Sequence, residues 1–160
     1  MQTHPATATA IAPAPRAAVH PAIADTLPAQ IVIVLTELFG TDLRQWHFLI
    51  DLFCDTVMQD LADLEAAIAR GAAADVATAA HRIAGSARML GHGAIGDAAH
   101  AVERIALSDD NGRAHPADLQ HAFVGLRMQI DTFRRHACRC AWPDAGAPAS
   151  PLPRARPCGG

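Results

Sequence analysis

Apolar residues along this chain recur at helical spacing, in five successive blocks separated by glycine or polar clusters. The first block, 29–39, closes at Gly40, a residue suited to the left-handed turn that ends a helix. Thr41 or Asp42 can cap the second, where Trp46, Ile50, Phe53, Val57, Leu61, Leu64 and Ile68 stand three or four apart on one face until Gly71. Phe48 and Leu52 fall outside that stripe, so the short first helix or a partner is expected to cover them. A third helix from Ala73 to Gly91 repeats the pattern with Val76, Ala80, Ile83, Ala87 and Leu90. The fourth, 94–107, turns Ile95, Ala98, Val102 and Ile105 inward and stops at the polar run 108–113. The fifth begins at Pro116, a favoured first-turn residue, and reaches Ala137 with Leu119, Phe123, Leu126 and Ile130 on its apolar side. Only the run 31–35 is short and apolar enough to be mistaken for a strand.

Single apolar stripes joined by short connections predict an all-α fold, an antiparallel four-helix bundle with a short additional N-terminal helix. The expected organisation is a disordered Ala/Pro-rich arm over 1–27, the bundle over 28–140 and a disordered Pro-rich tail over 141–160. Proline at the density of the two ends denies the backbone a regular hydrogen-bond ladder. Composition agrees: 51% of residues are hydrophobic but only 4% aromatic, which favours close packing of small side chains on helices.

A formal net charge of -3 argues against nucleic acid as a partner, because phosphate binding calls for a basic excess. All 13 basic residues are arginine. The four cysteines, without a secretory leader before them, read as reduced thiols of a cytoplasmic protein. No apolar run approaches the roughly 20 residues that span a bilayer, so no membrane insertion is expected.

The third helix carries the chemistry. On an ideal helical wheel His81 points away from the stripe, with Ala77, Thr78, Gly85 and Arg88 on the same outward side, Arg82 flanking and Ala84 between the two sides. A neutral imidazole nitrogen is a competent nucleophile near neutral pH, and small neighbours allow an electrophilic phosphorus to approach in line. Gly85 costs helix propensity, and close approach of another molecule is a reason to keep it. Arg88 and Arg82 could offset charge on phosphoryl oxygens.

The run from Ala80 through His81, Arg82, Ile83, Ala84, Gly85, Ser86, Ala87, Arg88, Met89 and Leu90 to Gly91 resembles the phosphorylation motif of histidine-containing phosphotransfer (HPt) domains. Weaker matches flank it at Phe39, Gly40, Phe53, Asp60, Leu61, Leu64, Glu65, Gly71, Ala99, Val102 and Glu103, so that the resemblance covers about 27–137 and is nearest to the C-terminal modules of hybrid sensor kinases. It implies a multistep phosphorelay in which a response-regulator receiver's phosphoaspartate passes its phosphoryl group to His81 and a second receiver takes it on. A sensor histidine kinase acts upstream, and this chain has no kinase or ATPase activity of its own. Magnesium would sit on the receiver, with no cofactor on this chain. His81 would be the carrier, Gly85 the clearance residue, Arg82, Ala84 and Arg88 the phosphoryl-facing support, and Ala77 and Thr78 part of the docking face. The family usually has lysine three residues after the histidine, and here that position is Ala84. Alanine there leaves open a module that binds receivers without accepting phosphoryl.

Other features read more simply. His92, between Gly91 and Gly93, is expected in a terminal loop, Ser86 to bond back to its own helix, and Cys54 to be a small buried apolar residue. Asp55, Asp60, Asp63 and Glu65 are expected to solvate the second helix. Nine histidines and four cysteines raise a metal-binding bundle as a third possibility, but His136, Cys138 and Cys140 lack the paired spacing of zinc ligand sets. No glycine-rich phosphate loop is present, which leaves autonomous ATP chemistry without a seat.

Overall fold

A computed structural model of the chain describes residues 23, 26–108, 116–137, 139, 140 and 142. Most of the arm, most of the tail and the polar run after Ser108 lie outside the described residues, as do Cys138 and Cys158. Within them five helices and no strand occur: α1 (Ala29–Phe39), α2 (Leu43–Arg70), α3 (Ala73–Leu90), α4 (Gly93–Leu107) and α5 (Pro116–Ala137). None of these is long and apolar enough to cross a membrane.

Local chemistry fixes the ends. Asp42 caps α2 by accepting from the backbone N–H groups of Arg44 and Gln45 at 3.1 and 3.3 Å, which satisfies donors that a helix start leaves without partners. Gly71 and Gly91 end α2 and α3 in the left-handed conformation, at φ 66 and 85. The amides that follow them, those of Ala72 and His92, reach back to the carbonyls of Ala67 and Ala87 at 3.1 and 2.8 Å. This closes each helix with the six-to-one bond that a positive-φ residue makes possible. Because the connections at 71–72 and 91–92 are two residues long, α2, α3 and α4 must run antiparallel in turn.

α3 packs most extensively against α4, then against α2, while α5 closes the ring against α4 and α2. The core runs through Trp46, Ile50, Val57 and Leu64 of α2, Val76, Ile83 and Ala87 of α3, Ile95 and Val102 of α4, and Leu126 and Ile130 of α5. Each fully buried aliphatic side chain of this kind contributes roughly 1.5–3 kcal/mol of transfer free energy. α1 caps one end. It lies so close over the α3–α4 turn that a Cβ on Gly91 would stand 3.0 Å from the carbonyl oxygen of Gln30.

Several positions differ from expectation. Ile23 and Leu27, assigned to the arm, are buried in the core. Trp142, assigned to the tail, is half-buried, stacks on His47 at a centroid distance of 4.9 Å and donates its indole N–H to the Ala137 carbonyl. Their apolar surface is covered despite the flanking prolines. Ala98 and Ile105 are only partly buried, whereas Ala106 is buried, so the inward face of α4 lies slightly round from the drawn stripe. Phe48 and Leu52 are 64% and 50% exposed, so α1 does not cover them.

His92 is no loop residue. It is buried, caps α4 by accepting the Ile95 N–H on Nδ1, and meets the ring of Phe133 edge-on at 4.8 Å. Burial pushes its protonation below the ordinary imidazole range, so the folded state holds the neutral ring. As pH falls through 6.5, the unfolded chain takes up this proton first, and stability declines until the lowered folded value is passed. Urea unfolding should therefore give a lower midpoint at acid than at neutral pH. His92→Asn, which keeps a capping oxygen but cannot titrate, should lessen that dependence.

Candidate functional site

Midway along α3 the His81 side chain is 75% exposed and leans toward α4. There its Nδ1 lies 2.9 Å from Oε1 of Glu103. The other carboxylate oxygen, Oε2, lies 2.9 Å from Nδ1 of His100, one turn earlier on α4. Glu103 is only 15% exposed and bridges the two rings. The hydrogen bond from His100 does most to keep Glu103 ionised below the usual carboxylate range; burial opposes it, and the bond from His81 and the charges of both rings add to it. An ionised carboxylate can only accept, so both Nδ1 atoms carry protons. In a neutral His81 ring the lone pair is thereby left on Nε2, the nitrogen turned away from Glu103.

The remaining sequence-named positions divide. Thr78 is exposed and bonds back to the Ala74 carbonyl at 2.8 Å, and with Ala77, Arg82 and Glu103 it lines a shallow cavity of about 250 Å³ beside His81. Gly85 is exposed, and a Cβ there would meet nothing within 4 Å. Ser86 bonds back to the Ile83 carbonyl at 3.1 Å, as expected.

Ala77 and Ala84, by contrast, are 8% and 2% exposed. Ala84, expected between the two sides of the helix as phosphoryl-facing support, is therefore corrected to a core position, and Ala77 offers at most an edge to a docking face. α3 has α2 on one flank and α4 on the other, and a methyl group is too short to emerge from either seam. Arg82 is not free beside His81. It leans to α2, where Nε bonds Asp60 at 2.7 Å and Nη2 bonds Asp63 at 2.9 Å. The bond to Asp60 is the main reason that this guanidinium holds its proton more tightly than usual. Asp60, expected at the surface as solvation, is buried by this pairing. Arg88, half-exposed, lies over Gly96 and approaches Asp97 at 3.7 Å.

Gly85 has no packing reason within the chain. Gly85→Ala should raise unfolding free energy by about 1 kcal/mol in urea titrations, because it removes an exposed mid-helix glycine. Gly85→Leu should remain folded yet slow phosphoryl transfer about tenfold or more, since its side chain would stand where the partner must approach.

Sequence reasoning missed the role of Glu103, although the signal existed. His81 and Glu103 are about equally far from the turn at 91–92, and a helical hairpin brings such positions side by side. Among the described residues no group of three or more His, Cys, Asp or Glu side chains could hold a metal ion.

The comparisons agree with this geometry. The family model described as Hpt domain matches residues 49–136, just over half of the chain and a span that includes His81, Gly85 and Glu103. No curated protein and no solved structure matches it.

Proposed function

Because the chain belongs to the Hpt domain family, whose work is phosphotransfer in phosphorelays, we propose that His81 is its phosphoryl carrier. The reading rests above all on one observation: an exposed imidazole whose Nδ1 is held by an ionised, largely covered carboxylate.

In this reading a receiver domain presents its phosphoaspartate to Nε2 of His81. The nitrogen lone pair forms the N–P bond while the P–O bond to the aspartate breaks, and that electron pair leaves on the aspartate carboxylate. The ring gains positive charge as it is phosphorylated, and Glu103 stabilises it through the Nδ1–H, as a carboxylate steadies an imidazolium in a catalytic triad. The reverse sequence passes the group to a second receiver. Magnesium belongs to the receiver, and a sensor histidine kinase stands upstream. In this reading the chain works in the cytoplasm, where such partners act.

Exposed apolar side chains suit a docked partner. Leu38, Leu52 and Met89 rim a groove of about 280 Å³ two turns beyond His81 on α3. A partner covering the roughly 800 Å² per side of an ordinary interface, centred on His81, reaches it.

The test is to mix the chain with a receiver phosphorylated by acetyl phosphate and magnesium. Acid-labile, base-stable label should appear on the chain and be discharged by a second receiver. A chain that binds the receiver but takes no label would favour the second reading, a docking module. That reading draws on the buried methyl of Ala84 and on the engagement of Arg82 with Asp60 and Asp63.

A further inference from the structure

A phosphoryl group brings about two negative charges at neutral pH, and on His81 it would stand beside a carboxylate that is already ionised. Some nearby cation has to balance this. The chain contains no lysine. Arg82 is turned to the opposite flank of α3 by two carboxylates at 2.7 and 2.9 Å. Arg88 lies two turns along and folds over Gly96 toward Asp97.

His100 is placed differently. Along α4, Glu103 lies beside His81, while Gly96 lies beside Arg88 and the carbonyl of Ala84. His100 falls between those two levels and is exposed. Its Nδ1–H is already committed to Glu103, so its Nε2 is the position where a second proton can bind. The elements around it carry the ionisable groups Asp75, His81, Arg82 and Arg88 of α3, Asp97, Glu103 and Arg104 of α4, and Asp118, His121, Arg127, Asp131, Arg134, Arg135 and His136 of α5. Of these the structure joins only Glu103 to it.

We infer that His100 is the charge-balancing residue of this site: it takes a proton from water when His81 is phosphorylated, so that the two cationic rings offset much of the charge on the phosphoryl group and on Glu103. Nothing is oxidised or reduced, and no bond other than N–H forms at His100. A histidine, unlike a lysine, gains and loses its proton within the physiological range. The capacity of the site therefore varies with pH, and phosphoryl loading is coupled to proton uptake. This inference rests on His81 as carrier.

The full chain, labelled with ¹⁵N and treated with phosphoramidate, a small phosphoryl donor to imidazole, tests it without a receiver. At neutral pH the ring nitrogens of His100 should move toward the protonated pattern as His81 is phosphorylated, while those of His136 stay in place. His100→Gln should be loaded roughly fivefold more slowly, the size expected for one screened charge a few ångströms away. His100→Lys should load at close to the wild-type rate, because its ammonium supplies the cation without first taking a proton from water. A His100 ring that does not respond while His81 is fully phosphorylated, or a His100→Gln chain loaded as fast as wild type, overturns the inference and leaves His81 as carrier. A chain in which His81 takes no phosphoryl group from either phosphoramidate or a receiver overturns both.

Discussion

A chain with glutamine at position 81 should take up no label from a phosphorylated receiver, while keeping its helical content and its affinity for that receiver. The side chain at 81 is largely exposed, so its loss removes little packing, and glutamine is tolerated on a helix surface. The neighbouring histidines do not offer a substitute. His47 is stacked on Trp142 and paired with Asp51 at 3.1 Å, and His92 is buried in a capping role. His100 shares Glu103 but belongs to α4, one turn from the point where Thr78, His81 and Arg82 border the approach. In-line attack requires the reacting atoms within about 3–3.5 Å of each other, and a receiver positioned for Nε2 of His81 does not meet that condition at His100. Phosphorylation of His81→Gln at a rate comparable to wild type would place the carrier elsewhere.

Replacing Glu103 should have the next largest effect. Glu103→Ala removes the acceptor that fixes the Nδ1–H tautomer and the charge that offsets the phosphorylated ring. Transfer should fall on the order of a hundredfold, the lower end of what a positioned acid–base group contributes. Glu103→Gln separates the two contributions, because its amide oxygen can still accept from one ring while the negative charge is gone. Its rate should lie between those of wild type and Glu103→Ala, as measured by quenched-flow transfer from a phosphorylated receiver. The carboxylate is held ionised chiefly by the His100 hydrogen bond, then by that of His81. It therefore stays charged at pH values where an ordinary glutamate would begin to protonate.

The helices could be read from the sequence because their limits are set locally. Gly40, Gly71 and Gly91 stop helices by backbone conformation, and Asp42 starts one with its own side chain. His81 and Gly85 were legible for a similar reason, since exposure at the centre of an outward helix face follows from angle alone. Ala77 and Ala84 were misjudged because a wheel gives direction but not the depth of cover, and alanine emerges only where its neighbours are also small. The engagement of Arg82 depends on Asp60 and Asp63 of another helix, information that lies in the packing of α2 against α3. Glu103 was hidden in the same way until the hairpin between α3 and α4 aligned it with His81. The capping role of His92 was obscured by its two glycine neighbours, which suggested a loop where the structure has a two-residue turn.

The chemistry turns on which nitrogen of which ring carries the phosphoryl group. A ³¹P–¹⁵N correlation spectrum of the ¹⁵N-histidine chain, loaded from a receiver, reads this directly. One phosphorus coupled to Nε2 of His81, with Nδ1 still protonated toward Glu103, is the expected result. Coupling to Nδ1, or to a nitrogen of any other histidine, would contradict it.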